Sequence, residues 1–497
     1  MTSPNPFHGL KDPTLVRSDA LIDGHWVIGC DRFGVVDPAT GVELATVPKL
    51  GRGHARSAVA AAERAWPAWK ARSARDRAGI LMRWYQLLMQ HADDLARIMT
   101  AEQGKPLAEA RGEVTYGASF IEWFAEEARR VYGETIPAPD PTRRLLVLKQ
   151  PIGVCAAITP WNFPLAMITR KVAPALAAGC PVVIKPAEQT PLTALACAEL
   201  AQRAGMPPGV INVLTSDAEG SIEIGQELCA SPVVRHLSFT GSTEVGRILM
   251  RQCADTVKKL SLELGGNAPF IVFDDADLEA AVEGAMISKY RNAGQTCVCA
   301  NRFYVQDGIH DRFVERLAER AAALKVGNGF DEGIQQGPLI DAPALAKVER
   351  HVADALAHGA RIVSGGVRQP GEMGQRFYTP TVLAGVTPEM LCAREETFGP
   401  VAPVMRFSTE AEAIALANAT EFGLAAYFYS RDIGRVFRVA EALEAGMVGI
   451  NTGLISTAEA PFGGVKQSGL GREGSRHGLD EYLEMKYLCL GNLGTPA

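Results

Sequence analysis

The segments IGVCAAI (152–158), CPVVIKP (180–186), GVINVLT (209–215) and VRHLSFT (234–240) are four short apolar runs that together decide the fold. Longer amphipathic stretches with helical periodicity separate them. Strands that alternate with helices in this way predict βαβ units and a parallel sheet. The fold class is therefore α/β, and a second alternating region that begins with APFIVFDDADLEAAVEGAMIS (268–288) predicts another sheet.

Helices are predicted before this region. Apolar residues recur at helical spacing with charged residues between them: Leu81, Trp84, Leu87 and Leu88. A Pro-rich break, PAPDPT (137–142), then interrupts the pattern. The segment that follows, RRLLVLKQP (143–151), predicts a strand outside the helical layer.

Length and composition restrict the class of protein. A chain of 497 residues exceeds the size of one small core, so two or three domains are expected. A net charge of -6 disfavours a nucleic-acid partner. No secretory leader is recognised, and no apolar run reaches the roughly 18 residues of a membrane span, so no membrane partner is expected. The ten cysteines are dispersed, which favours a cytoplasmic location over an oxidising compartment.

A first candidate ligand site follows the second of the four strands. In KPAEQTPLTALACAELAQRAG (185–205), Thr190 suits the N-cap and Pro191 the first turn of a helix. Lys185 and Glu188 then lie at the carboxyl end of a parallel strand, where open α/β sheets bind ligands. These two side chains can bond to ribose hydroxyls, and a solvated charge pair is the alternative interpretation.

The last of the four strands leads into a similar turn. Gly241 forms the turn, and a helix starts near Ser242, with Val245, Ile248 and Leu249 expected to face inward. Backbone N–H groups at the start of such a helix attract phosphate. The turn is neither a Walker A motif nor GxGxxG, and alone it is a weak signal. Two such turns on consecutive βα units favour a dinucleotide cofactor.

The segment RNAGQTCVC (291–299) contains Cys297 and Cys299, separated by one residue. A metal site is not expected, because there is no second cysteine pair and the nine histidines form no ligand pattern. A disulfide across so tight a loop would be strained and reducible. Packing as small apolar residues and a nucleophile with a neighbour are the remaining interpretations.

Two polar residues give this segment a chemical context. Glu263 lies in SLELGGNAPF (261–270), a segment otherwise fit for burial, so its carboxylate must be paired, protonated or functional. A raised pKa would suit a general base that acts on water. Asn162 lies in the stiff turn ITPWNFP (158–164), and its side-chain amide could stabilise an oxyanion. Hydrogen bonding within the turn is the alternative role for Asn162.

The combination of these segments resembles the aldehyde dehydrogenase superfamily. Seven motifs occur in its order and approximate spacing: TPWNFP, KPAEQTP, FTGSTEVG, LELGGNAP, GQTCVC, EETFGPV and PFGGVKQSGLGREG. The resemblance extends from about residue 20 to about residue 490. It implies an α/β fold with a Rossmann-type cofactor domain, an α/β catalytic domain and a small β oligomerisation arm.

The resemblance also implies domain boundaries. Residues 1–133 and 152–262 would form the NAD(P)-binding domain, and residues 263–460 the catalytic domain. Residues 134–151 and 461–497 would form the oligomerisation arm and the C-terminal tail of a homodimer or homotetramer.

Individual residues correspond to the functional positions of the superfamily. Cys297 corresponds to the nucleophile, with a thiol pKa that is expected to be lowered near the cofactor and a helix end. Glu263 corresponds to the general base and Asn162 to the oxyanion donor. The residues that correspond to cofactor contacts are Trp161, Lys185, Glu188, Gly241, Ser242, Leu264, Glu396 and Phe398. No metal is expected.

Within the superfamily, AMITRKVAPALAAGCP, YRNAGQTCVCANRFYVQ and INTGLIS are most similar to the succinate-semialdehyde dehydrogenases. Arg170, Arg291 and Ser456 correspond to the groups that bind the carboxylate of the semialdehyde, as arginine does in a fork. The implied reaction is the oxidation of succinate semialdehyde to succinate. Glutarate semialdehyde or another ω-semialdehyde is the nearest alternative substrate. A non-catalytic binding or structural protein on this fold is the alternative from another class.

Two details of the site stay open at this stage. Glu188 would repel the 2′-phosphate of NADP, so NAD is the expected cofactor, although Lys185 could permit NADP as well. Cys299 has packing as its default role. A reversible bond between Cys297 and Cys299 that stops activity under oxidation is a hypothesis from the spacing and from similarity to relatives.

Overall fold

The structure of the chain is a computed structural model that describes residues 6–369 and 376–493. The ends of the predicted segments, residues 1–5 and 494–497, lie outside the described residues, as do residues 370–375 within the predicted catalytic domain. Two large sheets, of eight and seven strands, form the framework of the described chain.

Strands and helices alternate along most of the described chain. The strands are β1 (Ala20–Ile22), β2 (His25–Val27), β3 (Arg32–Val36), β4 (Glu43–Pro48), β5 (Glu134–Ile136), β6 (Arg144–Pro151), β7 (Val154–Ile158), β8 (Val182–Lys185), β9 (Ile211–Val213), β10 (Val234–Thr240), β11 (Lys259–Glu263), β12 (Ala268–Val272), β13 (Ala300–Gln306), β14 (Arg361–Ser364), β15 (Thr381–Ala384), β16 (Val401–Phe407), β17 (Phe422–Gly423), β18 (Ala425–Tyr429), β19 (Met447–Ile450), β20 (Val465–Lys466), β21 (Gly469–Leu470) and β22 (Leu483–Leu490). The α-helices are α1 (Arg52–Ala71), α2 (Ala74–Gln90), α3 (Ala92–Gln103), α4 (Leu107–Glu127), α5 (Ala166–Ala178), α6 (Pro191–Arg203), α7 (Ala218–Ala230), α8 (Thr243–Cys253), α9 (Leu278–Tyr290), α10 (His310–Ala322), α11 (Ala342–Ala357), α12 (Leu391–Arg394), α13 (Glu410–Asn418), α14 (Ile433–Ala442) and α15 (His477–Asp480).

The first sheet has the strand order β2-β1-β9-β8-β7-β10-β11-β21, with a parallel centre from β9 to β11. In β7, Val154 and Ala156 pack into one hydrophobic cluster, and Cys155 and Ala157 pack into another. Successive side chains of a strand point to opposite faces, so this sheet is covered on both sides. The predicted parallel sheet and the α/β class are confirmed.

The order of the central strands creates a ligand-binding crevice. The strands β8 and β9 lie to one side of β7, whereas β10 and β11 lie to the other side. A reversal of this kind is a topological switch point, where open α/β sheets bind ligands. The turn of Asn162 follows β7, and Gly241 follows β10, so both predicted turns lie at this crevice.

The second sheet has the strand order β14-β15-β16-β13-β12-β18-β19, and only the pair β14–β15 is antiparallel. The motif LELGGNAP links the sheets, because β11 ends at Glu263 and β12 begins at Ala268. The strand β13 pairs with β12 and begins at Ala300, directly after the CVC segment. Cys297 therefore lies near the link between the two sheets.

A third sheet has the order β22-β6-β5 and joins distant parts of the chain. In it β6, the strand predicted from RRLLVLKQP, pairs with β22 along its whole length. The predicted C-terminal tail also contributes β21, which pairs with β11 of the first sheet. Met485 and Tyr487 in β22 and Leu148 in β6 are exposed, so this sheet presents apolar side chains to solvent.

The prediction that Val245 and Ile248 face inward is wrong. Both side chains are exposed, whereas Gly246, Leu249 and Cys253 form the buried stripe of α8. The helix packs closely along this stripe because Gly246 has no side chain: a Cβ there would lie 2.5 Å from the side chain of Leu264. The spacing of apolar residues thus predicted the helix correctly but assigned the wrong residues to its buried face.

Three further observations concern membranes, metals and disulfides. Among the described helices, none combines the length and apolar character needed to cross a membrane. The described part of the chain holds no group of three or more His, Cys, Asp or Glu side chains that could bind a metal ion. The ten cysteines, all within the described ranges, are unpaired.

Candidate active site

The segment that carries Cys297 leaves α9 through a strained turn. In this 3-10 turn Asn292 and Ala293 have φ angles of 53° and 55°. Such angles persist for residues other than glycine only where the surroundings hold them. Gly294 has a φ of 75°, and a Cβ there would lie 2.2 Å from the carbonyl oxygen of Gly399, so glycine is required.

Buried hydrogen bonds hold this turn in place. The backbone N–H of Asn292 donates to Oε2 of Glu109 at 2.9 Å. Nε2 of Gln103 donates to Oδ1 of Asn292 at 3.0 Å. Glu109 belongs to α4 and Gln103 ends α3, so two helices far away in sequence fix the turn before Cys297.

Asn162 lies at the switch point and is buried. Its Nδ2 donates to the carbonyl oxygen of Gln295 at 3.1 Å, two residues before Cys297. Its own carbonyl oxygen accepts hydrogen bonds from Nζ of Lys105 at 2.8 Å and from Nδ2 of Asn292 at 3.0 Å. An amide nitrogen carries two N–H groups, so one of them can donate to an oxyanion that forms beside Cys297.

Glu263 ends β11 and is buried, and its Oε2 has no hydrogen-bond partner among the described residues. Burial and the negative charge of Glu473 raise the pKa of this carboxyl group well above its usual range. The cations Arg170 and Lys171 oppose the shift. A carboxylate with a raised pKa is a stronger base, which suits the activation of water.

The expectation of a lowered pKa for Cys297 is wrong for this structure. Burial raises the pKa of its thiol to about 12; Arg170 and Arg291 oppose the shift, whereas Glu396 and Glu263 add to it. Cys297 is not itself part of a helix terminus, because it precedes the strand β13. The neutral thiol is therefore the stable form at pH 7, and its proton has to leave when the sulfur attacks.

A cleft of about 370 Å³ connects Cys297 with the predicted cofactor residues. Eight of the predicted site residues line it: Trp161, Asn162, Gly241, Ser242, Leu264, Cys297, Glu396 and Phe398. The rings of Trp161 and Phe398 meet edge to face, with centroids 5.5 Å apart. Lys347 and Thr397 also line the cleft. Lys347 was not predicted, because it belongs to none of the seven motifs.

The wall formed by the turn after β10 suits a phosphate group. Ser242 is the N-cap of α8, and its Oγ accepts a hydrogen bond from the backbone N–H of Val245 at 3.3 Å. The partial positive charge of the helix N-terminus therefore lies at the cleft. A Cβ at Gly241 would lie 2.4 Å from the ring of Phe239, so glycine keeps this turn narrow.

Three charged residues predicted to contact the cofactor occupy two places. Glu396 lines the cleft, and its Oε1 accepts a hydrogen bond from the backbone N–H of Gly266 at 3.1 Å. Burial raises the pKa of Glu396 to about 7. Lys185 and Glu188 lie past the cleft lining, at the carboxyl end of β8, with Nζ and Oε2 3.6 Å apart. Burial lowers the pKa of Lys185, and Glu188 opposes that shift. The polar groups present thus suit a dinucleotide.

Arg170 is fully buried in α5 and forms an ion pair with Glu473. Its guanidinium carbon lies 4.1 Å from the ring centroid of Phe462. Its Nη2 is buried and has no hydrogen-bond partner among the described residues. Glu473 also pairs with Lys171 and had no predicted role, although its place in the Gly-rich motif GREG was visible in the sequence.

Arg291 differs from Arg170 in its surroundings. It is half-buried, its guanidinium carbon lies 5.2 Å from the ring centroid of Phe163, and no carboxylate in the described ranges forms an ion pair with it. The charge of Arg291 is therefore free to bind an anion. Both arginines are close enough to Cys297 to oppose the rise of its pKa, so they share its site.

Sequence reasoning missed Tyr116, which lies among the three predicted substrate residues. Its hydroxyl is within interaction range of Arg170 and Ser456, and Arg291 acts on it through charge. The only sequence signal was the neighbouring Gly117, where a Cβ would lie 2.1 Å from a side chain at the start of α5. A small residue of this kind indicates that α4 and α5 meet closely.

Comparisons with known proteins agree with this geometry. The sequence model of the aldehyde dehydrogenase family matches residues 26–488. A glutarate-semialdehyde dehydrogenase of Pseudomonas aeruginosa is 62% identical over 97% of this chain and 100% of its own length. A succinate-semialdehyde dehydrogenase of Escherichia coli K12, whose name specifies NADP(+), is 62% identical over 97% of this chain and 99% of its own length. The crystal structure of a succinate-semialdehyde dehydrogenase from Burkholderia pseudomallei is 61% identical, with a TM-score of 0.95 over 97% of this chain and 100% of that chain.

Proposed function

The chain belongs to the aldehyde dehydrogenase family and is an NAD(P)-dependent aldehyde dehydrogenase, and on this basis we propose that it oxidises succinate semialdehyde to succinate. Relatives of similar identity carry the names of succinate- and glutarate-semialdehyde dehydrogenases. Both substrates end in a carboxylate, so the substrate class is an ω-semialdehyde.

The unpaired donors near Cys297 are the observation that carries this proposal. Nη2 of Arg170 is buried without a hydrogen-bond partner, and Arg291 has no ion pair within the described parts of the chain. Buried donors without acceptors are costly, so a ligand with an acceptor is expected to complete them. A carboxylate satisfies both arginines, and Ser456 adds a hydroxyl on the same side.

The proposed reaction uses three residues in turn. The sulfur of Cys297 gives its proton to solvent in the cleft and bonds to the aldehyde carbon, while Nδ2 of Asn162 donates to the oxygen, which becomes negative. A nicotinamide cofactor, held by the residues that line the cleft, would supply the acceptor for the hydride of this carbon, and Cys297 would then carry a thioester. Glu263 then takes a proton from water as its oxygen bonds to the acyl carbon. The carbon–sulfur bond breaks and the acid is released.

Specificity for the terminal carboxylate can be tested with the wild-type enzyme. We expect kcat/KM for succinate semialdehyde to exceed that for butanal by about 100-fold or more, because charge-assisted hydrogen bonds at the carboxylate are lost with butanal. Glutarate semialdehyde adds one methylene, which changes kcat/KM by only about 10- to 200-fold. Steady-state reduction of NAD and of NADP with the three aldehydes measures these ratios. Equal kcat/KM values for butanal and succinate semialdehyde would contradict the proposal. A higher kcat/KM for glutarate semialdehyde than for succinate semialdehyde would favour the alternative substrate.

We propose NAD as the preferred cofactor because of Glu188. A carboxylate at this position can accept a hydrogen bond from a ribose 2′-hydroxyl and would repel a 2′-phosphate. Replacing Glu188 with serine is expected to shift the ratio of kcat/KM values towards NADP by about 10- to 100-fold, since a few kcal/mol of charge repulsion are removed. Both cofactors are titrated at saturating semialdehyde. Glu63→Ser, at an exposed position of α1, is the control, and an unchanged ratio in Glu188→Ser would oppose this assignment.

We propose further that residues 134–151 and 461–497 act as the oligomerisation arm and C-terminal tail of a homodimer or homotetramer. The exposed apolar side chains of Met485 and Tyr487 in β22 support this, since such side chains are usually covered in an assembly. Unpaired cysteines throughout the described ranges suit a reducing compartment, so a cytoplasmic location is proposed as well.

A further inference from the structure

Tyr116 is held in place by its aromatic ring. The ring lies edge to face against Phe120, with centroids 5.1 Å apart. It also packs against the small hydrophobic cluster of Phe163, Ala166 and Met167, which covers the start of α5. These contacts leave only the hydroxyl end of the side chain to reach the group of Arg170, Arg291 and Ser456.

The hydroxyl of Tyr116 is buried and has no hydrogen-bond partner among the described residues. A buried hydroxyl without a partner is costly and calls for an explanation. Arg170 and Arg291 cannot serve as acceptors, because a guanidinium group carries only donors. Ser456 carries a hydroxyl oxygen that could accept, but the hydroxyl of Tyr116 forms no hydrogen bond to it, so this buried O–H stays a donor without an acceptor in positively charged surroundings.

We propose that the hydroxyl of Tyr116 donates a hydrogen bond to the terminal carboxylate of the semialdehyde and selects anionic over neutral aldehydes. This inference rests on the proposed function, because it assigns a residue to the carboxylate end of the same site. Tyr116 contacts the substrate in this role and takes no part in bond making at Cys297.

The number of donors agrees with the number of acceptor sites. A carboxylate offers about four lone-pair sites on two oxygens. Nη2 of Arg170, the guanidinium of Arg291 and the hydroxyls of Ser456 and Tyr116 are four donor groups around one place. The hydroxyl of Tyr116 is therefore one of the donors that can fill these acceptor sites.

The same donors act against a neutral aldehyde. An alkyl chain in this place would leave the hydroxyl of Tyr116, Nη2 of Arg170 and the guanidinium of Arg291 without the acceptor that a carboxylate provides. Sites built to hydrogen-bond a ligand reject analogues that lack the partner group. Selectivity for an anionic substrate thus has two sources. A neutral aldehyde leaves buried donors without acceptors, and an anionic aldehyde forms hydrogen bonds with them.

The test is the substitution Tyr116→Phe, which removes one oxygen and keeps the packed ring. We expect kcat/KM for succinate semialdehyde to fall by about 10- to 100-fold, mainly through a higher KM, because a hydrogen bond to a charged group is lost. We expect kcat/KM for butanal to stay within about twofold or to rise. Tyr132→Phe, whose side chain is 70% exposed, is the matched control and should leave both values unchanged.

The outcomes separate this inference from the proposed function. Equal losses for both substrates in Tyr116→Phe would indicate a packing role and overturn the inference, as would an unchanged kcat/KM for the semialdehyde. If the wild-type enzyme does not prefer the semialdehyde over butanal, the proposed function fails first. Melting temperatures of the variants, measured alongside, should match that of the wild type, and a fall confined to Tyr116→Phe would again favour a packing role.

Discussion

Replacing Cys297 with alanine is expected to lower kcat by roughly 10⁴-fold or more, the scale on which enzymes lose activity with their covalent nucleophile. The cleft connects Cys297 with Asn162 and the cofactor residues. The neighbouring Cys299 is buried, and its thiol donates to the carbonyl oxygen of Lys289 at 3.4 Å, so it is not expected to replace the nucleophile. NADH formation with succinate semialdehyde measures the effect, and a titration of cofactor binding verifies that the cleft is intact.

Two control variants make this prediction specific. Cys489→Ala removes an exposed thiol in β22 and should keep full activity. Cys299→Ala should keep most of the activity, which would separate the roles of the two adjacent cysteines. Because the pKa of Cys297 is raised to about 12, its alkylation by iodoacetamide should accelerate steadily as the pH rises from 7 to 10. Substantial turnover by Cys297→Ala would rule out the assignment of the nucleophile.

Replacing Glu263 with glutamine is expected to lower kcat by about 10²- to 10⁴-fold, the range lost with a general base. Glutamine preserves the shape of the side chain but cannot accept a proton from water. Acylation of Cys297 should still proceed, so rapid mixing should show a burst of about one NADH for each active site, followed by slow turnover. A variant without this burst, or with an undiminished steady rate, would show that Glu263 does not limit hydrolysis of the thioester.

The raised pKa of Glu263 predicts the pH dependence of the wild-type enzyme. The deprotonated carboxylate is the active form, so the rate of thioester hydrolysis should be low where Glu263 is protonated and should rise as the pH passes through the raised pKa. This rise lies at higher pH than for an ordinary glutamate. The slow turnover of Glu263→Gln should not show this rise with pH. The comparison therefore separates the titration of Glu263 from the titration of Cys297.

Several local features were predictable from the sequence. Apolar runs of four to seven residues flanked by turn residues predicted the strands of the parallel sheet. This was possible because the periodicity and length of an apolar run can be read from residues that are neighbours in the sequence. Thr190 and Ser242 were identified as helix starts for the same reason, and both are N-caps in the structure. Seven motifs in order indicated the family, and the family model bears this out.

Interactions between distant residues were not predictable in this way. Thr190 makes no side-chain capping bond; the buried carboxylate of Glu102 instead accepts hydrogen bonds from the backbone N–H groups of Leu192 and Thr193 at 2.7 and 2.8 Å. Lys171 and its partner Glu473 are 302 residues apart. Periodicity in the sequence does not predict contacts between residues so far apart, because these contacts depend on how whole helices and sheets pack together.

The sequence alone therefore determined the α/β class and the family and predicted the reacting groups, since strand pattern, turn chemistry and motif order are local properties. The tertiary structure decided the electrostatic state of those groups. Burial, which only the packed chain creates, raises the pKa of Cys297 where the sequence suggested a lowered one. Packing also pairs Arg170 with Glu473, leaves Arg291 without an ion pair in the described ranges, and brings the hydroxyl of Tyr116 close to Arg170 and Ser456.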